Sequence, residues 1–268
     1  MMKLFFRKYG SGHPLVILHG LYGSSDNWIS IAGKAAERFT VYLPDARNHG
    51  RSPHDSIHDY DSMAADLHEL TTDLGLKEFF LAGHSMGGKT AMWFAADYPE
   101  KIEKLVIADI APIDYTLVAE NSQFYLHRNI LSTMQELNFD RIKERSDVDE
   151  FLAEHIGDER IRHFLLKSVA FDKNTRKYKW RVNVDALYVH LNDIVAGVNR
   201  RWFAARMPIT VYPVIFIRGL ESNYITDESV PLVKEIYPDA NIVDIPGAGH
   251  WLHAEKPKEF TKAVLLYC

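Results

Sequence analysis

Cysteine is almost absent from this chain. Cys268, the last of 268 residues, is the only one, so no disulfide can form within the sequence. A thiol at that position is expected to be an inert, frayed terminus. A basic excess is lacking too: 31 Lys and Arg stand against 36 Asp and Glu, a formal net charge of −5. That excludes the cationic footprint usual in nucleic-acid binders. No apolar run approaches the roughly 18 residues needed to span a bilayer, so no membrane span is expected. The opening Met1-Met2-Lys3-Leu4-Phe5-Phe6-Arg7-Lys8 has an apolar run too short for a secretory core, closed by two basic residues. A cytoplasmic location is the expectation. Repeats and low-complexity linkers are also missing. What remains is ordinary globular composition, 47% hydrophobic and 25% charged, near the upper size for one core.

Apolar runs of strand length alternate with segments of helical period, the pattern of a mostly parallel α/β sheet flanked by helices. Pro14 to Leu18, Phe39 to Leu43, Glu78 to Ala82, Lys104 to Ala108, Val214 to Ile217 and Ile242 to Ile245 read as strands. Helices are predicted from about Asp26 to Arg38 with Asp26 as N-cap, Tyr60 to Leu74, Met86 to Tyr98, Asp227 to Ile236 and Pro257 to Leu266. Between Ile113 and Met207 helical periods continue without a strong buried-strand run. The organisation expected is a core of residues 1–112 and 208–268 with a helical cap insertion at 113–207.

The chemistry is concentrated in Phe79-Phe80-Leu81-Ala82-Gly83-His84-Ser85-Met86-Gly87-Gly88. A buried strand runs into G-x-S-x-G and a helix begins at once, the layout of a nucleophile elbow. At average glycine and serine usage the bare motif arises by chance about once in ten chains of this length, so the strand and helix around it carry the argument. The serine must sit on a tight turn with its hydroxyl above the sheet edge. Glycines on both sides let neighbouring backbone pass close by, and the helix aims its free amides at the reaction centre.

An acyl-transfer serine needs donors for the oxygen that becomes negative. The Met86 amide is one candidate. The Leu21 amide, in the loop His19-Gly20-Leu21-Tyr22-Gly23 after the first predicted strand, is the other. His19 reads as a residue that orients this loop. The general base is expected late in the chain, after the last strand, where Gly247-Ala248-Gly249-His250-Trp251 fits. His250 and His253 are three apart, but a metal site needs further ligands at workable spacing and none is near, so no metal and no cofactor is expected.

With these residues in hand, the chain resembles the α/β-hydrolase superfamily, in the esterase branch typified by bacterial YbfF esterases and mammalian abhydrolase domain-containing protein 11. The resemblance rests on HGLYGSSDNW at 19–28, DARNHGRS at 45–52, GHSMGGK at 83–89, ADIAPIDY at 108–115 and GAGHW at 247–251, in the family's order across nearly the whole chain. It implies the α/β-hydrolase fold with a helical cap, and a triad whose acid most members carry after the strand that is Val214 to Ile217 here. Ser222 stands at that position and cannot hold an imidazolium by charge. The esterase branch places the acid one strand earlier, where Asp109 matches; Glu221 and Asp227 are its rivals.

Tyr22, Trp28, Tyr115, Phe124, Trp180 and Trp251 are candidates to line an acyl pocket, although aromatics of this kind are more often plain core. Asn48, His49 and Arg51 read as structural, knitting loops at the sheet edge. The function expected is a serine hydrolase acting on a small ester or thioester through an acyl-enzyme. Fold does not fix chemistry, and a carbon–carbon hydrolase, a lyase or a non-catalytic binding module on the same scaffold is the alternative.

Overall fold

The computed structural model describes residues 2–117, 122–197 and 203–268. Its centre is a seven-stranded sheet of β1 (Phe6–Tyr9), β2 (His13–Leu18), β3 (Phe39–Pro44), β4 (Phe79–His84), β5 (Ile102–Ala108), β8 (Val214–Gly219) and β9 (Asn241–Ile245). The spatial order is β1-β3-β2-β4-β5-β8-β9. Only β1 runs antiparallel to its neighbour; β2, β3, β4, β5, β8 and β9 are parallel. This half-buried edge strand is absent from the sequence reading, because FRKY offers two aromatics and two bases rather than an apolar run.

The central strands are continuous apolar runs because both faces are covered. Successive side chains alternate between two cores. Leu15, Ile17, Phe80, Ala82, Val106, Ile215 and Ile217 join Trp28, Ile31 and Phe260 on one face, under α1 (Ile29–Ala35) and the last helix, Pro257–Tyr267. Val16, Leu18, Phe79, Leu81, Leu105, Ile107 and Phe216 join the opposite core, which carries α2 (Tyr60–Asp73) and α3 (Met86–Asp97). Burial of Met63, Leu67 and Leu70 confirms the apolar face read for α2, which ends before Gly75 at φ +67°.

Two helix starts differ from expectation. The first begins with a 3₁₀ turn, Ser25–Trp28, and its cap is Ser24, which exchanges hydrogen bonds with Asp26 and Asn27. Asp26 instead pairs with Arg7 and Arg181. The helix expected from Asp227 begins at Val230, since Asp227 is turned out to Arg218 at 2.7 Å.

Between β5 and β8 the chain leaves the sheet. It forms α4 (Ser122–Glu136), α5 (Arg145–Ala153), α6 (Glu159–Leu166), a hairpin of β6 (Val169–Asp172) and β7 (Lys177–Trp180), then α7 (Val184–Val189) and α8 (Leu191–Ala196). The hairpin corrects the purely helical expectation. Its four-residue strands are only partly buried, VAFD in β6 and an alternation of lysine with aromatic residues in β7, so neither carries a buried run. Among the described residues no helix is long and apolar enough to cross a membrane.

Candidate active site

Parallel strands deliver their carboxyl ends, and the loops after them, to one edge of the sheet, where ligands bind in open α/β folds. Here the loops after β2, β4, β5, β8 and β9 meet. Ser85 follows β4 at φ 55° and ψ −121°, outside the regions open to ordinary residues. Its amide is tied to the Ala108 carbonyl at 3.0 Å, which holds the turn against β5. The flanking glycines are sterically required. A Cβ on Gly83 would lie 2.2 Å from the Gly87 carbonyl oxygen, and one on Gly87 would lie 2.5 Å from that of His19.

His250 reaches Ser85 from the loop after β9, with Nε2 3.0 Å from Oγ. Its Nδ1 is 2.8 Å from Oδ2 of Asp109. Asp109 follows β5 at φ 49° and is fully buried. The same Oδ2 accepts the Ser222 hydroxyl, and Oδ1 accepts the Gly219 amide at 3.1 Å. Burial removes charge from both members of the pair: the Asp109 carboxyl is pushed up to about 7 against these two hydrogen bonds, and the His250 imidazole down to about 3. Among the described residues the only carboxylate hydrogen-bonded to the imidazole is that of Asp109; Asp227 is held by Arg218, and Glu221 lines the cavity.

Met86 opens α3, so its amide has no partner inside the helix. Leu21 lies buried beside it, in a turn closed by the Gly23 amide on the Gly20 carbonyl at 3.0 Å. The neighbouring Tyr22 amide is already spent, donating to His49 Nε2 at 3.3 Å. His19 spans the loop as the sequence suggests, its Nε2 accepting the Ala46 amide at 2.9 Å. Asn48 and His49 knit the loops together, with the Asp55 amide 2.7 Å from Asn48 Oδ1.

A cavity of about 330 Å³ opens over Ser85 and His250. Of the aromatic candidates, Tyr22 and Trp251 line it, Trp251 beside Phe164, and Tyr115 lines a separate, smaller pocket that also touches Ser85. The other three are placed elsewhere. Trp28 stacks on His253 in the core on the far face of the sheet, with ring centroids 4.5 Å apart. Phe124 packs on the opposite core beside Tyr125. Trp180 packs on Phe139 within the insertion and donates to the Met134 carbonyl at 3.0 Å.

Four residues at the site went unread in the sequence. Ser222, the residue at the position where most of the family carries an acid, donates to the Asp109 carboxylate. Tyr224 stacks on His250 at 3.9 Å between centroids and 22° between planes. His84 lies under the His250 loop, its Nε2 2.8 Å from the His250 carbonyl oxygen. His127 enters from α4 and lines the cavity. The only local signal was the position of His84 inside the serine motif; the other three come together through tertiary packing.

The chain belongs to the α/β-hydrolase fold family, whose pattern it matches over residues 13–257. It is 39% identical over 260 residues to the sn-1-specific diacylglycerol lipase ABHD11 of Xenopus laevis, covering 94% of this chain and 78% of that one. With the esterase YbfF of Escherichia coli it shares 32% over 254 residues, 95% of this chain and 92% of that one. A solved marine microorganism esterase superposes with a TM-score of 0.92 at 45% identity over the full length of both chains. An α/β hydrolase with esterase- and lipase-type relatives is therefore the class that fold and kinship define.

Proposed function

We propose that this protein is a serine esterase that cleaves carboxylic esters, or thioesters, through an acyl-enzyme. The observation that carries the reading is the unbroken line from Ser85 Oγ to His250 Nε2 (3.0 Å) and from His250 Nδ1 to Asp109 Oδ2 (2.8 Å), beneath a cavity. His250 takes the Ser85 proton as the hydroxyl attacks the carbonyl, and Asp109 holds the ring in the tautomer that leaves Nε2 free. The Leu21 and Met86 amides receive the oxyanion. His250 then protonates the departing alcohol or thiol, and a water activated by the same nitrogen releases the acid. The insertion at 113–207 acts as the cap of this site, lending His127 and Phe164 to the cavity wall. The substrate is a small molecule, and the site uses no metal or cofactor.

A fluorophosphonate probe tests the reading. One covalent adduct on Ser85, with loss of p-nitrophenyl ester hydrolysis in proportion to labelling, is the expected result. An adduct elsewhere, or full turnover after complete labelling of Ser85, would reject it. Turnover of simple acyl esters also separates this chemistry from carbon–carbon hydrolysis on the same fold.

The dyad sets the pH dependence. At 2.8 Å, Asp109 and His250 titrate as a pair. As pH falls, the first proton enters at the group that burial has raised, the carboxyl near 7. That proton removes the negative charge which stabilises the imidazolium formed during attack. Stopped-flow or pH-stat assays should show kcat/KM level above about pH 7 and falling about tenfold per unit below it. A flat profile down to pH 5 would contradict the arrangement.

A further inference from the structure

Three polar side chains that the acyl-transfer scheme leaves unused meet in the cavity over Ser85. Tyr22 comes from the loop after β2, His127 from α4 of the insertion, and Tyr224 from the loop after β8. The Tyr22 hydroxyl lies 3.2 Å from His127 Nδ1, and His127 Nε2 lies 3.1 Å from the Tyr224 hydroxyl. Burial lowers the imidazole to about 4 and raises both phenols, so all three groups are neutral near pH 7.

The hydrogens can then be counted. Two phenol O–H groups and one imidazole N–H supply three hydrogens, while the two contacts within the trio consume two. One donor is left over in either tautomer of His127. If the ring proton is on Nε2, the surplus is the Tyr224 O–H, which has no acceptor among the described residues. If it is on Nδ1, the surplus is the Tyr22 O–H, whose remaining acceptor is the His127 carbonyl at 3.5 Å, the outer limit of a hydrogen bond. The groups line the cavity, so a ligand oxygen placed there can accept the spare O–H.

We propose that Tyr22, His127 and Tyr224 form a donor subsite for a second oxygen of the substrate, an ether, hydroxyl or carbonyl oxygen outside the ester group that Ser85 attacks. The inference rests on the esterase reading and narrows it: the preferred esters are oxygen-bearing rather than plain hydrocarbon. It also gives Tyr224 two contacts with separable consequences. Its ring stacks on His250 and its carbonyl accepts the Tyr115 hydroxyl, and both survive replacement by phenylalanine, whereas the hydroxyl does not.

Two pairs of esters of equal heavy-atom count place the extra oxygen on either side of the ester group. p-Nitrophenyl methoxyacetate against p-nitrophenyl butyrate tests the acyl side, and 2-methoxyethyl butyrate against butyl butyrate tests the alcohol side. In Tyr224→Phe, kcat/KM for the oxygen-bearing member of one pair should fall about five- to tenfold further than for its hydrocarbon partner. The affected pair identifies the side on which the oxygen sits. His127→Gln, which breaks the relay without touching the ring on His250, should move the same ratio in the same direction. Equal losses within both pairs in both variants would overturn the subsite while leaving the esterase reading intact. Absence of turnover of all four esters by the parent protein would overturn both.

Discussion

Replacing Ser85 by alanine should lower turnover of p-nitrophenyl esters by a factor of about 10⁴ or more, and Asp109→Asn should lower it by about 10³ to 10⁴. The size of the first effect follows from removing the atom that forms the acyl-enzyme. The second follows from geometry, because the Asp109 carboxylate lies 2.8 Å from His250 Nδ1 and is the only acid there among the described residues. Asparagine at 109 can present its amide N–H to the ring, which stabilises the tautomer with Nε2 protonated and unable to accept the Ser85 proton. With the carboxyl gone, the acid limb near 7 should vanish from the pH range in which the chain stays folded. Glu221→Gln and Asp227→Asn should remain within about threefold of the parent, since neither side chain contacts His250 and Asp227 is engaged by Arg218. Full activity in Asp109→Asn with a dead Glu221→Gln or Asp227→Asn would place the acid elsewhere. Rates within tenfold of the parent for Ser85→Ala would remove the nucleophile altogether.

The central strands and the serine turn were readable in the sequence for a local reason. A parallel strand buried on both faces is a continuous apolar run, and the turn after β4 needs glycine at 83 and 87 because backbone carbonyls occupy the space of a Cβ. The loop carrying His250 was readable likewise, as glycines after a late strand. Asp109 was legible only through resemblance. Nothing local distinguishes it from the other carboxylates, and its burial and positive φ are products of the fold. The aromatic candidates show the limit plainly. Trp28 and Trp251 are equally apolar, yet one falls on the far face of the sheet and the other in the cavity. The insertion was read least well, because β6 and β7 pair only with each other. The ring of Tyr224 on His250 joins loops after β8 and β9, and His127 meets Tyr22 across more than a hundred residues.

Mild acid should unfold the chain steeply. His19, His49, His58, His84, His127, His250 and His253 are all pulled below the ordinary imidazole value of 6.5, with burial as the leading cause in each. They are neighbours as well as buried: the rings of His84 and His253 are 4.6 Å apart, those of His84 and His250 4.7 Å, and those of His19 and His49 5.2 Å. Charging one therefore disfavours charging the next. In the window between these depressed values and 6.5, the unfolded chain binds protons that the native state refuses, so stability is present above about pH 6.5 and is lost as pH falls below it. Each such histidine contributes up to about 1.4 kcal/mol per pH unit. Asp66, Asp97 and Asp109 act in the opposite sense, since burial raises their values and the native state holds their protons longer. A net uptake of several protons on unfolding, at about 1.4 kcal/mol per proton per pH unit, is a large share of the stability of a typical domain. Circular dichroism melts between pH 7 and 4.5 should show Tm falling by about 10 °C or more per unit below pH 6. Urea titrations at the same pH values should report uptake of at least three protons on unfolding. A Tm constant to pH 4.5 would mean that the histidines are hydrated or charged in the native state, and the neutral imidazole required at position 250 would lose its physical basis.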